Sequence, residues 1–365
     1  MYRFSARCAV ATLTQLFLAS LLLIEATAAV RIIIDTDGVT DDIRAISLAL
    51  QNKNTEVMAI TTVRGGVNAS QSAANVARTL RANKRYVPIY KGAEDALFPR
   101  GPLLEADPMF GSDGIGDTPK TAPEALPRDW LQHEAESAAE ALVRLTAECD
   151  DVVLVCLGPL TNIALALRLD PNFATRPKKI VIMGGNYYGV GNTLANSSAE
   201  FNFWNDPEAA QMVLTEMRSP IVMVPWEAFF FDGPKYSKII DFTRHLKFDS
   251  PLSKFLFNCT QIVRNHLAKT STPYSFMDDI AVAVAIDPSI ALTSSSFYVD
   301  VELENSYTRG QVVVDWLNVI YNETTQGFNA IPGLKTGWPM HSFVTSYNVR
   351  RVNDIICEEF SKGGR

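Results

Sequence analysis

The sequence predicts an α/β fold: a single domain on an open, mainly parallel (mixed) sheet with helices on both faces. Three observations predict it. Short runs of aliphatic and β-branched residues recur without polar alternation, as strands buried on both faces require. A segment with helical spacing follows most of these runs. No internal repeat or low-complexity linker divides the 365 residues, a length that one large domain can hold.

Residues 30–34 form the first apolar run and residues 42–50 the first helical pattern. A second run at 56–63 precedes a helix at 69–82, and 87–90 supplies a third strand. Residues 134–148 read as an Ala-rich helix, 152–157 as a strand and 161–169 as a helix. Strands at 179–183 and 221–224 flank a helix at 207–217. Residues 297–303 and 311–316 alternate more strongly and sit close together, which predicts an antiparallel pair. Residues 91–128 are rich in Pro, Gly and Asp and read as a long loop, of the kind that carries function in α/β domains. Ligands of open α/β sheets bind at the carboxyl ends of the strands. The residues that follow each run are therefore the ones to weigh.

An apolar fraction of 47% and a charged fraction of 20% exclude a disordered chain, a coiled coil and a collagen-like repeat. A net charge of −7 without a basic run excludes nucleic acid as the main partner. Arg3, Arg7, the apolar stretch 16–24 and Ala26-Thr27-Ala28 have the order of a secretory signal peptide over 1–28. The expected mature domain, 29–365, is secreted, free of the membrane, and carries a net charge of −8 once Arg3, Arg7 and Glu25 have left. It keeps Cys149, Cys156, Cys259 and Cys357; an oxidising compartment permits disulfides, and their pairing stays open. The sequons at Asn68, Asn196, Asn258 and Asn322 are about as many as chance supplies, and the latter two are better placed to carry glycan. Self-association into a homo-oligomer is also left open.

Asp35-Thr36-Asp37-Gly38-Val39-Thr40-Asp41-Asp42 places four carboxylates directly after the first run. A turn with a helix cap accounts for one or two of them. Four like charges this close repel unless protons or a cation neutralise them. Carboxylate oxygens are the natural ligands of a hard divalent cation. Leu157-Gly158-Pro159-Leu160-Thr161-Asn162 follows the fourth strand, and Met183-Gly184-Gly185-Asn186 the fifth. Gly191-Asn192 and Ala199-Glu200-Phe201-Asn202 come next; Asn and Glu beside glycine suit the binding of hydroxyl groups. Ser275-Phe276-Met277-Asp278-Asp279 opens a helix, where a cap explains one aspartate and a metal ligand the other.

Together these segments resemble the nucleoside hydrolase family, within the inosine–uridine-preferring superfamily, over about residues 30–320. The family's DTDPGxDD motif stands here as residues 35–42, with Gly38 at the proline and Val39 at the glycine. The resemblance implies a Rossmann-like nucleoside hydrolase fold. It implies hydrolysis of the N-glycosidic bond of a small-molecule ribonucleoside to free base and ribose. It also implies one Ca²⁺ held by Asp37, Asp42, Asp278 and the backbone carbonyl of Thr161, with a calcium-bound water as nucleophile and Asp37 as general base. Asp41, Asn202 and Asp278 are implied at the 2′- and 3′-hydroxyls, Asn192 and Glu200 near the 5′-hydroxyl, and Met183 under the ribose. A ring of acids there favours an oxocarbenium-like transition state.

The departures from the family pattern are specific. Gly66 stands where the family has an asparagine, with Asn68 two residues on as a substitute. Phe110 and Met277 stand at two histidine positions, and His133, His245, His266 and His341 lie outside the matched segments. The chain thus shows no acid for the leaving base. Phe110, with Trp204, Trp226 and Phe276 as further candidates, offers rings to stack a purine, so inosine and guanosine are expected over uridine and cytidine. Two other readings compete. A haloacid-dehalogenase-like phosphatase would use Asp35 as nucleophile with Mg²⁺. A secreted nucleoside-binding protein that has lost catalysis would suit Gly66 and Met277.

Overall fold

The computed structural model describes residues 29–99, 109–118, 120–131, 133, 135–193, 198–304, 307–317 and 338–362. The expected signal segment, Asn196 and Asn322 lie outside the described residues. β1 (Val30–Thr36), β2 (Thr55–Thr62) and β3 (Ile89–Lys91) run parallel, and β4 (Val153–Cys156), β5 (Lys179–Met183) and β6 (Ile221–Val224) continue the parallel sheet from the other side of β1. β7 (Ala291–Phe297) lies at one edge. The expected antiparallel pair forms as β8 (Val299–Val301) and β9 (Val312–Val314), a separate two-stranded sheet. β10 (His341–Tyr347) is parallel to β6 and antiparallel to β7, so the main sheet reads β3-β2-β1-β4-β5-β6-β10-β7.

Successive side chains of β1 serve opposite layers. Ile32 and Ile34 join a core with α1 (Thr40–Gln51), α2 (Ala69–Ala82) and the late helix α10 (Asp278–Ile286). Ile33 joins a second core with α3 (Ala138–Glu148), α4 (Thr161–Leu169) and α6 (Pro207–Glu216). Burial on both sides is why Ile32, Ile33 and Ile34 stand in an unbroken apolar row. Local signals fix several helix starts. Ser137 and Glu140 form a reciprocal cap on α3, and Asp206 caps α6, which begins with Pro207. The short α5 (Phe201–Asn205), then α7 (Trp226–Tyr236), α8 (Pro251–Cys259), α9 (Gln261–Lys269) and α11 (Val349–Ser361) complete the helices used below.

Cys149, Cys156, Cys259 and Cys357 are all free thiols in this structure. Among the described residues no helix is long and apolar enough to cross a membrane. The strand order reverses at β1, which pairs with β2 on one side and β4 on the other. The crevice at the carboxyl ends of β1 and β4 is where such sheets bind ligands. It receives residues 35–42 from β1 and 157–162 from β4.

Candidate active site

The turn after β1 is unusual in path. Gly38 has φ +68°, and a Cβ there would lie 2.6 Å from Ser72 Oγ and 2.9 Å from the Ser72 Cα. The Gly38 amide donates to Thr36 Oγ1 (3.1 Å), and the Thr36 hydroxyl donates to Asp42. Asp42 also accepts from the Val39 amide at 3.2 Å, closing the first turn of α1. Asn75 of α2 pins the turn, donating to the Gly38 carbonyl (3.0 Å) and to the Asp113 carbonyl of the long loop (2.8 Å).

Asp37 is held by backbone. Its Oδ2 accepts from the Gly66 amide at 2.6 Å, and a Cβ on Gly65 would fall 2.2 Å from the same oxygen. A Cβ on Gly66 would lie 2.7 Å from Val39 Cγ1. The valine at 39 thus occupies the space a longer residue 66 would need. Asn68 does not substitute for the missing asparagine. It is exposed, and its Oδ1 accepts from the Gln71 amide as the cap of α2.

Asp41, Asp42 and Asp278 bring carboxylate oxygens within 4.8 Å of one another, and Asp37 lies within reach of Asp42. Asp37, Asp42 and Asp278 are buried, and Asp41 Oδ1 is buried with no hydrogen-bond partner. Desolvation, then repulsion from Asp37, pushes Asp41 up to about 7, and the same causes hold Asp42 well above the carboxylate range. Asp278 is raised well above that range by desolvation and by Asp41, Asp42 and Asp37. Hard oxygen donors, crowded and short of counter-charge, with an orphaned oxygen among them, fit a hard divalent cation.

These shifts have a sign. A carboxyl that holds its proton more tightly when folded makes the fold less stable as pH rises from about 4, the unfolded value, through about 7. Cation binding removes that penalty. Without divalent cations the melting temperature is expected to fall between about pH 5 and about pH 7.5. Calcium is expected to raise it more at the higher pH. Differential scanning fluorimetry checks this, and an equal calcium effect at both pH values would separate the ion from these carboxyls.

The remaining predicted residues gather beside the cluster. Gly158 abuts Asp37: a Cβ there would lie 2.9 Å from the Asp37 amide nitrogen. Thr161, the first residue of α4, is buried, and its hydroxyl donates to Asp206 at 2.7 Å, which fixes the start of that helix beside the cluster. Asn202 donates to the carbonyls of Leu157 (2.8 Å) and Met183 (3.2 Å), tying the ends of β4 and β5. Glu200, pushed up to about 7 by desolvation, accepts from the amides of Asn202, Phe203 and Gly185, and Asn192 Oδ1 accepts from the Phe201 amide at 2.7 Å. Glu200 and Asn192 thus share the N-terminus of α5.

Two aromatic expectations are corrected. Phe110 presents no open face: it is packed with Val39, Val67, Val263 and Leu267. Phe276 is fully buried in the core. Trp204 is half-buried, and Trp226 is buried with its Nε1 unpartnered. Met277 is half-buried against the core. His133 stands against Tyr90, His245 and His341 are buried, and His266 is exposed. Asp35 is 0% exposed, and its Oδ1 accepts from both Thr61 and Asn162, which ties this carboxyl to β2 and α4 rather than to the acidic cluster. Sequence reasoning missed Glu227, whose Oε1 accepts from the Tyr187 (3.0 Å) and Tyr188 (2.7 Å) amides and fixes the loop after β5. The acid directly after a strand end was its only signal.

The comparisons with known proteins agree with this geometry. Residues 32–354 match the family model described as inosine-uridine preferring nucleoside hydrolase, extending past the motifs to β10 and α11. The chain is 32% identical to the inosine-uridine preferring nucleoside hydrolase of Crithidia fasciculata over 79% of its own length and 88% of that protein. It is 38% identical to uridine nucleosidase 1 of Arabidopsis thaliana, a match that spans only about half of each, 51% and 53%. A solved inosine-guanosine nucleoside hydrolase superposes with a TM-score of 0.77 at 30% identity, covering 91% of this chain and 98% of that one. Sheet order, acidic crevice and sequence match converge: the chain belongs to the inosine-uridine preferring nucleoside hydrolase family.

Proposed function

We propose that this protein hydrolyses the N-glycosidic bond of ribonucleosides, with purine nucleosides preferred, to free base and ribose. The observation that carries the reading is the convergence of Asp37, Asp41, Asp42 and Asp278 in the crevice between β1 and β4. Asp37, Asp42, Asp278 and the carbonyl of Thr161 would hold a Ca²⁺. When bound, the ion offsets the crowded negative charge and supplies Lewis acidity toward water. Asp37, oriented by the Gly66 amide, takes a proton as general base. Asp41, Asn202 and Asp278 orient the ribose hydroxyls, Glu200 and Asn192 bound the 5′ end, and Met183 packs under the sugar. As the base departs the anomeric carbon gains positive charge, which the surrounding carboxylates stabilise more in the transition state than in the ground state.

The preference for purines rests on the leaving group. Met277 and Phe110 cannot donate a proton. A purine can accept one from solvent at N7 of its imidazole ring, a route pyrimidines lack. Inosine and guanosine are expected to exceed uridine and cytidine by at least about tenfold in kcat/KM, which needs about 1.4 kcal/mol of differential transition-state binding. Incubation of the purified protein with each nucleoside, with free base and reducing sugar measured, tests both levels. No release from any nucleoside would leave the nucleoside-binding reading. Equal or faster release from uridine would overturn the base assignment.

The same proposal includes export. The order of basic start, apolar stretch and small residues in 1–28 supports cleavage before Ala29 or Val30, just ahead of the central strand β1. N-terminal sequencing of the exported protein checks it; an intact Met1 on a membrane-bound form refutes it.

A further inference from the structure

Arg44 and Asp279 form an ion pair in the interior, next to the acidic crevice but outside the residues assigned above. Their side chains are 1% and 0% exposed. Arg44 Nε lies 2.9 and 2.8 Å from the two carboxylate oxygens of Asp279, and Nη2 also bonds that carboxylate. Nη2 donates to the Ser275 carbonyl at 3.1 Å, and Nη1 to the Tyr274 hydroxyl. The guanidinium carbon stands 4.9 Å from the Tyr274 ring centre and 5.3 Å from that of Phe276. One side chain thus grips the whole approach to α10.

The placement of the two partners gives the pair its meaning. Arg44 sits in the first turns of α1, two residues after Asp42. Asp279 sits in the first turn of α10, directly after Asp278. These two helix starts supply the three carboxylates whose oxygens lie within 4.8 Å. Like charges at that distance push the two helices apart. A buried ion pair adds little net stability over apolar side chains of similar volume; its best-attested role is to fix register between elements. The rigid, bidentate fork of arginine sets position and angle together.

We propose that the Arg44–Asp279 pair is a positioning clamp that holds α1 and α10 at the spacing a cation requires, pre-organising the site before the ion arrives. The proposal rests on the cation reading above. Its test is calorimetric Ca²⁺ titration of metal-free protein, with thermal unfolding and near-UV circular dichroism to establish that each variant is folded. Arg44→Met with Asp279→Leu removes both charges together and leaves none unpaired. This double variant is expected to melt within a few degrees of the wild type but to bind Ca²⁺ at least about tenfold more weakly. Arg44→Lys keeps the charge and loses the fork. It is expected to bind several-fold more weakly, and it decides the matter if the double variant does not fold. Wild-type affinity in either folded variant overturns the clamp. Wild-type affinity in the lysine variant alone would mean that charge, not geometry, is what the site needs. A wild-type protein that takes up no calcium overturns the cation reading and the clamp with it.

Discussion

Asp37→Asn is expected to lower kcat by about 10²–10⁴-fold, the span associated with loss of a general base. The melting temperature should stay close to that of the wild type. Asn keeps an oxygen to accept from the Gly66 amide, so the backbone arrangement around residue 37 survives. The substitution also removes one charge from a cluster whose members raise each other's proton affinity, so the cation-free fold loses nothing by it. What disappears is the basic oxygen and one ligand. Steady-state kinetics with saturating calcium measure the effect, and near-full turnover by a calcium-loaded variant would take Asp37 out of the mechanism. Asp35→Asn is the control. Asp35 is sealed beneath the site by Thr61 and Asn162, so its loss should be mild in turnover.

Gly38→Pro, which writes the family's usual proline into this chain, is expected to destabilise the protein by about 3 kcal/mol or more. Proline fixes φ near −65°, whereas Gly38 stands at +68°. The proline nitrogen also cannot donate to Thr36 Oγ1, and its ring would press on Ser72. Thermal unfolding by circular dichroism should show a loss of at least about 5 °C. An unchanged melting temperature would mean that this turn can switch to the path proline dictates. The general point is that residues of this turn cannot be exchanged singly for the family's: Gly38 is held by its positive φ and by Ser72, and residue 66 is limited by the Val39 side chain.

Strands β1 to β6 were legible because each is buried along half or more of its length and reads as an apolar run. The helices at 69–82 and 161–169 carry strong apolar periodicity and came out with their observed limits. β7 and β10 were not legible. Ala291–Phe297 is largely polar and exposed at the sheet edge, and His341–Tyr347 mixes Ser and Thr with buried Phe343 and Val344. No local pattern announces a strand whose neighbours lie far away in sequence. The acidic cluster was legible from the density of aspartates after a strand. The packing of Phe110 and the capping role of Asn68 were not. Both depend on where a side chain points, and adjacency in sequence to a motif says nothing about that. Arg44 and Asp279 were invisible for a similar reason: 235 residues separate two partners that meet only in the fold.

The position of β10 has a consequence for how this protein can be made. A strand encoded near the carboxyl end sits between β6 and β7, and α11, which follows it, packs against α1, the helix that carries Asp41 and Asp42. A nascent chain released as far as residue 317 holds every other strand among the described residues, and β6 and β7 then each lack the partner that joins them. Such exposed strand edges are templates for association with other chains. The time between synthesis of β7 and synthesis of β10 is therefore the interval in which this protein is most vulnerable to misassembly, and its length is set by the translation of the segment between them.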